Sequence, residues 1–185
     1  MNRSWTAFGI VVVAGVAADQ WAKAWAEVHV RVAGVVTAIP GFVDFRFVRN
    51  PGALFSLGGS IEPNLRRAIF SVTSALVITL IAVVHARTPA DQGRARVALS
   101  LLAAGAAGNL IDRVRTGEVV DFIHVQIGPV LRWATFNLAD VFISAGLLLL
   151  AMDIVLRPQP ESLASAHHAA SAARVHSASD GEAKT

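Results

Sequence analysis

Hydrophobic and polar positions along the chain fall into four long apolar runs, at 5–25, 68–86, 97–111 and 136–156, separated by mixed segments. The first is broken late by Asp19, Gln20 and Lys23. The second carries no charge, only the hydroxyls of Ser71, Thr73, Ser74 and Thr79 before His85. The third is rich in Ala and Gly, small residues that let membrane helices approach closely. The fourth has Asp140 near its start and Asp153 near its end. At 1.5 Å per residue, helices of this size cross or nearly cross a hydrocarbon layer of ~30 Å. Trp5, Trp21, Trp25 and Trp133 stand at the ends of the runs, where interfacial aromatics gather. Arg3, the stretch after it and Val16-Ala17-Ala18 also fit a cleavable export signal. Hydrophobic character resumes at 21–26 and three more runs follow, so the first run is read as a retained membrane helix.

Four spans put both termini on one side, and the long connections at about 27–66 and 112–135 together on the other. Asp19 and Lys23 close the first span toward that second side and Asp140 opens the fourth from it, so the unusual polar groups meet at one face. Arg87, Arg94 and Arg96 in the short loop, with Arg3 and Arg157, lean toward a cytoplasmic location for the termini. Arg31, Arg46, Arg49, Arg66, Arg67, Arg113, Arg115 and Arg132 on the opposite side weaken that lean. In the first connection, Phe42 to Arg49 alternates partly with period two, as a half-buried strand does, and Asn50-Pro51-Gly52 reads as a turn. The predicted fold is therefore mainly α and integral to the membrane, with four transmembrane helices over 1–157 and a small extracytoplasmic β-rich segment lying on the bilayer. After Pro158 and Pro160 the composition shifts to Ala, Ser and His. Residues 158–185 read as a disordered cytoplasmic tail whose His167, His168 and His176 are solvated rather than metal ligands.

Composition sharpens this picture. Of 185 residues, 54% are hydrophobic and 16% charged, against roughly 45–50% and about 25% in soluble domains. An ordinary soluble globule and a largely disordered chain are both excluded. Net charge is +3, yet the isoelectric point is near 10.5. With no Cys or Tyr and Lys only at 23 and 184, little titrates between His and Arg, so the value carries no nucleic-acid signal. Zero Cys also removes disulfides and thiol catalysis.

Charges near membrane depth need a partner or a function. Asp19 and Lys23, four apart on one helix, are read as a structural pair. Asp112 and Arg113 end the third span just after Asn109, as a structural or a site-supporting cluster. Asp121 lies in Val119-Val120-Asp121-Phe122-Ile123, where apolar neighbours would raise its pKa unless it points to water. Asp140 stands about one turn inside the fourth span, where an acid also complements the helix dipole. Two carboxylates that approach closely share a proton, so that one activates water and the other protonates the carbonyl or leaving group. Asp121 and Asp140 are the best such pair. His29 and His124 form no ligand spacing with the acids, and neither a nucleophile elbow nor a phosphate loop occurs. A small transporter or proton pathway, or a scaffold whose polar pairs join helices, are the competing readings. The gathering of acids at one face and the lack of an inverted repeat weigh against transport.

Five stretches, in order, resemble the motifs of lipoprotein signal peptidase (signal peptidase II), a family of integral-membrane aspartic peptidases. They are Asp19-Gln20-Trp21-Ala22-Lys23, Asn50-Pro51-Gly52-Ala53-Leu54-Phe55-Ser56, Gly108-Asn109-Leu110-Ile111-Asp112-Arg113, Val120-Asp121-Phe122 and Phe136-Asn137-Leu138-Ala139-Asp140. The resemblance spans roughly residues 5–157 and leaves out the tail. It implies that Asp121 and Asp140 are the catalytic dyad and that no metal or cofactor is used. It implies that Asn50, Gly52, Asn109, Arg113 and Asn137 contact substrate or support the acids. Asp112 takes a structural or site-supporting role, and Asp19 and Lys23 serve fold stability. The implied substrates are bacterial prolipoproteins bearing a diacylglyceryl group on a cysteine, cleaved just before that cysteine. The implied setting is the bacterial inner membrane, with cytoplasmic termini and an outward active face, which agrees with the Arg lean. Prolipoprotein and membrane lipid are the expected partners, nucleic acid is not, and a monomer is expected. Pro51 is a local variation that stiffens its turn.

Overall fold

The computed structural model describes residues 3–52, 62–127 and 131–156. The first span is α1 (Arg3–Trp25), which continues through a π-helical turn at Ala26–Val30 into the single turn α2 (Arg31–Ala33). Two strands follow, β1 (Val35–Ile39) and β2 (Val43–Asn50). The helix α3 (Pro63–Arg87) starts where Glu62 accepts a hydrogen bond from the Leu65 N–H at 2.9 Å and Pro63 fills the first position, which needs no N–H donor. After α4 (Gly93–Thr116), Gly117 turns the chain at φ +81° with its N–H on the Arg113 carbonyl. The strands β3 (Val119–Ile127) and β4 (Leu131–Arg132) then lead to α5 (Leu138–Leu156).

Four helical stretches are long and apolar enough to cross a membrane: Trp5–Ala33, Pro63–Arg87, Gly93–Thr116 and Leu138–Leu156. The third exceeds the apolar run at both ends, because its terminal turns carry Arg94, Arg96, Asp112, Arg113 and Arg115 and continue the helix beyond the apolar stretch. It is also the axis of the bundle. Half of its most apolar window is buried, against 11% or less in the other three. Small residues make this possible. A Cβ at Gly105 would overlap the Ala139 carbonyl oxygen of α5, and one at Gly108 would lie 2.6 Å from Asp19 Oδ2 of α1. On α1, a Cβ at Gly15 would stand 2.8 Å from Ala104 Cβ. The remaining helix surfaces expose Leu76, Leu80, Leu147, Leu148 and other large apolar side chains, as helices surrounded by lipid do.

The strands form one antiparallel sheet in the order β1-β2-β3-β4. β1 and β2 come from the connection after α1, and β3 and β4 from the connection after α4. Their pairing fastens both connections at one end of the bundle, as span parity requires. Val48 lies opposite Asp121, and Asn50 opposite Val119. Asp44, buried in β2, accepts from Thr37 at 3.0 Å, Arg46 at 2.8 Å and Gln126 at 3.3 Å, pinning three strands together. The chain divides into two compact units, Met1–Asp153 and Ile154–Thr185, and of the second only the end of α5 is described. The tail at 158–185 and the stretch Ala53 to Ser56 of the second motif lie outside the described residues.

Candidate active site

Asp121 stands on β3 between Val120 and Phe122, all three buried. It does not point to water. Only 3% of it is exposed, because β3 at this point is covered on both faces. Two side-chain amides meet it: Asn137 Nδ2 donates to Oδ1 at 2.6 Å and Asn50 Nδ2 to Oδ2 at 2.9 Å. The Asn50 amide is oriented locally. The Gly52 N–H donates to its Oδ1 at 2.9 Å, an Asx-turn that leaves the NH2 facing Asp121, and Gly52 adopts φ +81° to close the turn. Burial pushes the Asp121 carboxyl up to about 6; the bonds from Asn50 and Asn137 work against that rise, and the charge of Asp140 adds to it.

Asp140 and Asn137 cap α5 reciprocally. The Asp140 N–H donates to Asn137 Oδ1 at 3.0 Å, and the Asn137 N–H to Asp140 Oδ2 at 3.2 Å. This is a capping box built from Asn and Asp. Asn137 thus holds both carboxylates: its side-chain NH2 reaches Asp121 and its backbone N–H reaches Asp140, while its side-chain oxygen accepts the Asp140 backbone N–H. The other Asp140 oxygen accepts from Asn109 Nδ2 at 2.9 Å.

Behind this layer lies a buried charge cluster. Lys23 Nζ is 2.8 Å from both Asp19 Oδ2 and Asp112 Oδ2, and donates to Asn109 Oδ1 at 3.0 Å. That last bond fixes which end of the Asn109 amide faces Asp140. Asp19 accepts the Ala139 N–H in the first turn of α5 at 2.9 Å, and Asp112 accepts the Val120 N–H beside Asp121 at 3.3 Å. The cluster therefore ties the backbones carrying the two acids to α1 and α4. Arg113 donates to Ser74 Oγ at 3.3 Å, lies over the Phe70 ring at 5.7 Å, and interacts through its charge with Asp140, Asp112 and Asp121.

All ten residues singled out from the sequence lie in or beside this connected set. Three others were missed. Gln20 donates to Asp112 at 3.0 Å and to the Gly108 carbonyl at 3.2 Å; its place between Asp19 and Lys23 was the available signal. Phe70 and Ser74 sit in a charge-free span with nothing to mark them. A recess of about 130 Å³ reaches Gln20, Lys23 and Asp112 between α1 and α4, and an apolar one of about 390 Å³ is lined by Val125, Ile127, Trp133 and Phe136. Among the described residues no three His, Asp or Glu side chains converge as metal ligands do.

The family model for Signal peptidase (SPase) II matches residues 11–156. The chain belongs to the signal peptidase II family. It is 35% identical over 155 residues to the lipoprotein signal peptidase of Geobacter metallireducens, covering 84% of this chain and 94% of that one. It is 36% identical over 146 residues to that of Syntrophus aciditrophicus, covering 78% and 89%. Two solved structures, each described as a bacterial membrane enzyme obtained by the in meso method, superpose with TM-scores of 0.70 and 0.72 at 27% and 28% identity. The match covers 84% and 83% of this chain and 94% and 95% of theirs. As a signal peptidase II, the protein is a multi-pass bacterial membrane protease that removes signal peptides from prolipoproteins.

Proposed function

We propose that this signal peptidase II is an aspartic endopeptidase with Asp121 and Asp140 as its dyad. It cleaves diacylglyceryl-modified prolipoproteins just before the lipidated cysteine, as a monomer, at the extracytoplasmic face of the inner membrane, with both termini cytoplasmic. The observation that carries the reading is Asn137, one residue that donates to both carboxylates, to Asp121 from its side-chain NH2 and to Asp140 from its backbone N–H.

The two acids have different surroundings, which suits different roles. Asp121, buried and raised to about 6, is the proton holder. Asp140, half-buried in the first turn of α5 among N–H donors, is the base. Asp140 takes a proton from water as the water oxygen attacks the scissile carbonyl carbon. Asp121 gives its proton to the carbonyl oxygen, and a neutral tetrahedral diol results. Asp140 then passes its proton to the departing amide nitrogen as the C–N bond breaks, while Asp121 recovers a proton from the diol as the carboxylic acid forms. Arg113 supplies positive charge beside the developing oxyanion. A substrate held by acyl chains keeps its scissile bond at the depth of the helix end where Asp140 sits.

The test is cleavage of a diacylated prolipoprotein by purified protein, comparing wild type with Asp121→Asn and Asp140→Asn. Each change is expected to lower the rate by about 10²-fold or more, with the thermal unfolding transition retained. Normal cleavage by either variant would remove that acid from the mechanism.

A further inference from the structure

The helix α3 contributes none of the ten residues singled out from the sequence, yet its Phe70 touches two parts of the site. The ring lies so close to Gly52 that a Cβ there would stand 2.7 Å from ring carbon Cε2. Gly52 is the residue whose N–H fixes the Asn50 amide, and Asn50 in turn holds Asp121. The same ring lies under the Arg113 guanidinium, whose carbon is 5.7 Å from the ring centroid. One turn further along, on the same helix face, Ser74 Oγ accepts from Arg113 Nη1 at 3.3 Å.

Both holders of Arg113 are uncharged. Its charge interacts with Asp140, Asp112 and Asp121, yet among the described residues it forms no ion pair within 4.0 Å. A guanidinium on a flexible stem in a partly dry site is drawn onto a nearby carboxylate unless something else holds it. An aromatic face and a hydroxyl do so without neutralising the charge.

We propose that Phe70 is a positioning residue for cleavage. Resting on the dyad reading, it keeps the Arg113 cation beside the two acids but off them, free to meet the substrate carbonyl. Loss of the ring lets Arg113 fall onto an acid and removes its charge from the substrate.

The experiment is a double-mutant cycle on the full chain in detergent with a diacylated prolipoprotein. Phe70→Met keeps bulk without a ring face, and Phe70→Tyr keeps the face. Each is made in wild type and in Arg113→Gln. Phe70→Met is expected to lower kcat about tenfold, the scale of a partly desolvated cation–π contact, with KM changed less than twofold. Phe70→Tyr is expected to retain most of the rate. In Arg113→Gln, Phe70→Met should cost little more, because its effect runs through the missing cation. Full activity in Phe70→Met, an equal loss on both backgrounds, or a Phe70→Tyr as slow as Phe70→Met would overturn the proposal. Asp121→Asn in the same assay separates the two ideas. Normal cleavage by that variant removes the dyad, whereas a dead Asp121→Asn with an additive cycle removes only the role of Phe70.

Discussion

At the scale of the residue, Asp121, the proposed proton donor, shows how a strand can bury a carboxyl. Its apolar neighbours were legible in the sequence, and so was the direction in which they push its titration. Its two donors were not, because Asn50 is 71 positions away and Asn137 is 16 away, and no local spacing pairs them with it. In the folded site the carboxyl titrates near 6 rather than near 3.8. A group that delivers a proton is active below its folded value and inactive above it. The kcat/KM profile is therefore expected to fall as pH rises through about 6. The Asn50 amide stabilises the ionised form, so Asn50→Leu should move that basic limb to higher pH while lowering the overall rate. A limb that stays put or moves down would show that Asp121 is not the acid. The same shift has a stability consequence of fixed sign. The folded state binds this proton more tightly than the unfolded chain, so stability falls as pH rises from 3.8 to about 6, and the penalty is complete above that window.

At the scale of the element, the helices were the easiest part of the fold to read and the sheet the hardest. Lipid accepts apolar groups on every side of a span, so hydrophobic runs alone mark the helices. The run was too short for α4 because its end turns are polar. β1 was missed because Val35-Val36-Thr37-Ala38-Ile39 is mostly exposed and shows no alternation. The pairing of β2 with β3 joins residues 69 to 82 positions apart, from Asn50 with Val119 to Val43 with Val125, which no local pattern encodes. Tight packing of α4 was foreshadowed by its Ala and Gly content, and it has a sharp consequence at Gly105. A methyl group there meets the backbone carbonyl of Ala139, which cannot rotate away, so α5 must move. Its first turn carries Asp140. Gly105→Ala is expected to lower stability by about 1–3 kcal/mol and cleavage by at least about tenfold. Gly93→Ala, where a Cβ has nothing within 4 Å, should leave both unchanged. Thermal midpoints in detergent and initial rates on one substrate decide it, and an unperturbed Gly105→Ala would show that α5 does not seat on α4 this closely.

At the scale of the whole molecule, the Lys23 cluster and the sheet act at the same end of the bundle. Asp19, Lys23, Asn109 and Asp112 join α1 to α4, while Asp19 and Asn109 reach the first turn of α5. β2 and β3 join the connections that those helices feed. Three spans and two connections therefore meet where the acids lie, and the short loop between α3 and α4 lies at the other end of the bundle. Arg87, Arg94 and Arg96 flank that loop and lean toward a cytoplasmic location for it, a lean that the arginines of the opposite connections weaken. The absence of native Cys makes the orientation directly measurable. Ala38→Cys lies on the exposed edge strand β1 and Asp91→Cys in the exposed α3–α4 loop, so each offers a single thiol at one end of the bundle. With a membrane-impermeant maleimide, Ala38→Cys should label in right-side-out vesicles and Asp91→Cys only in inverted ones. The opposite pattern would turn the molecule over and put the acids on the cytoplasmic side, against the orientation proposed above.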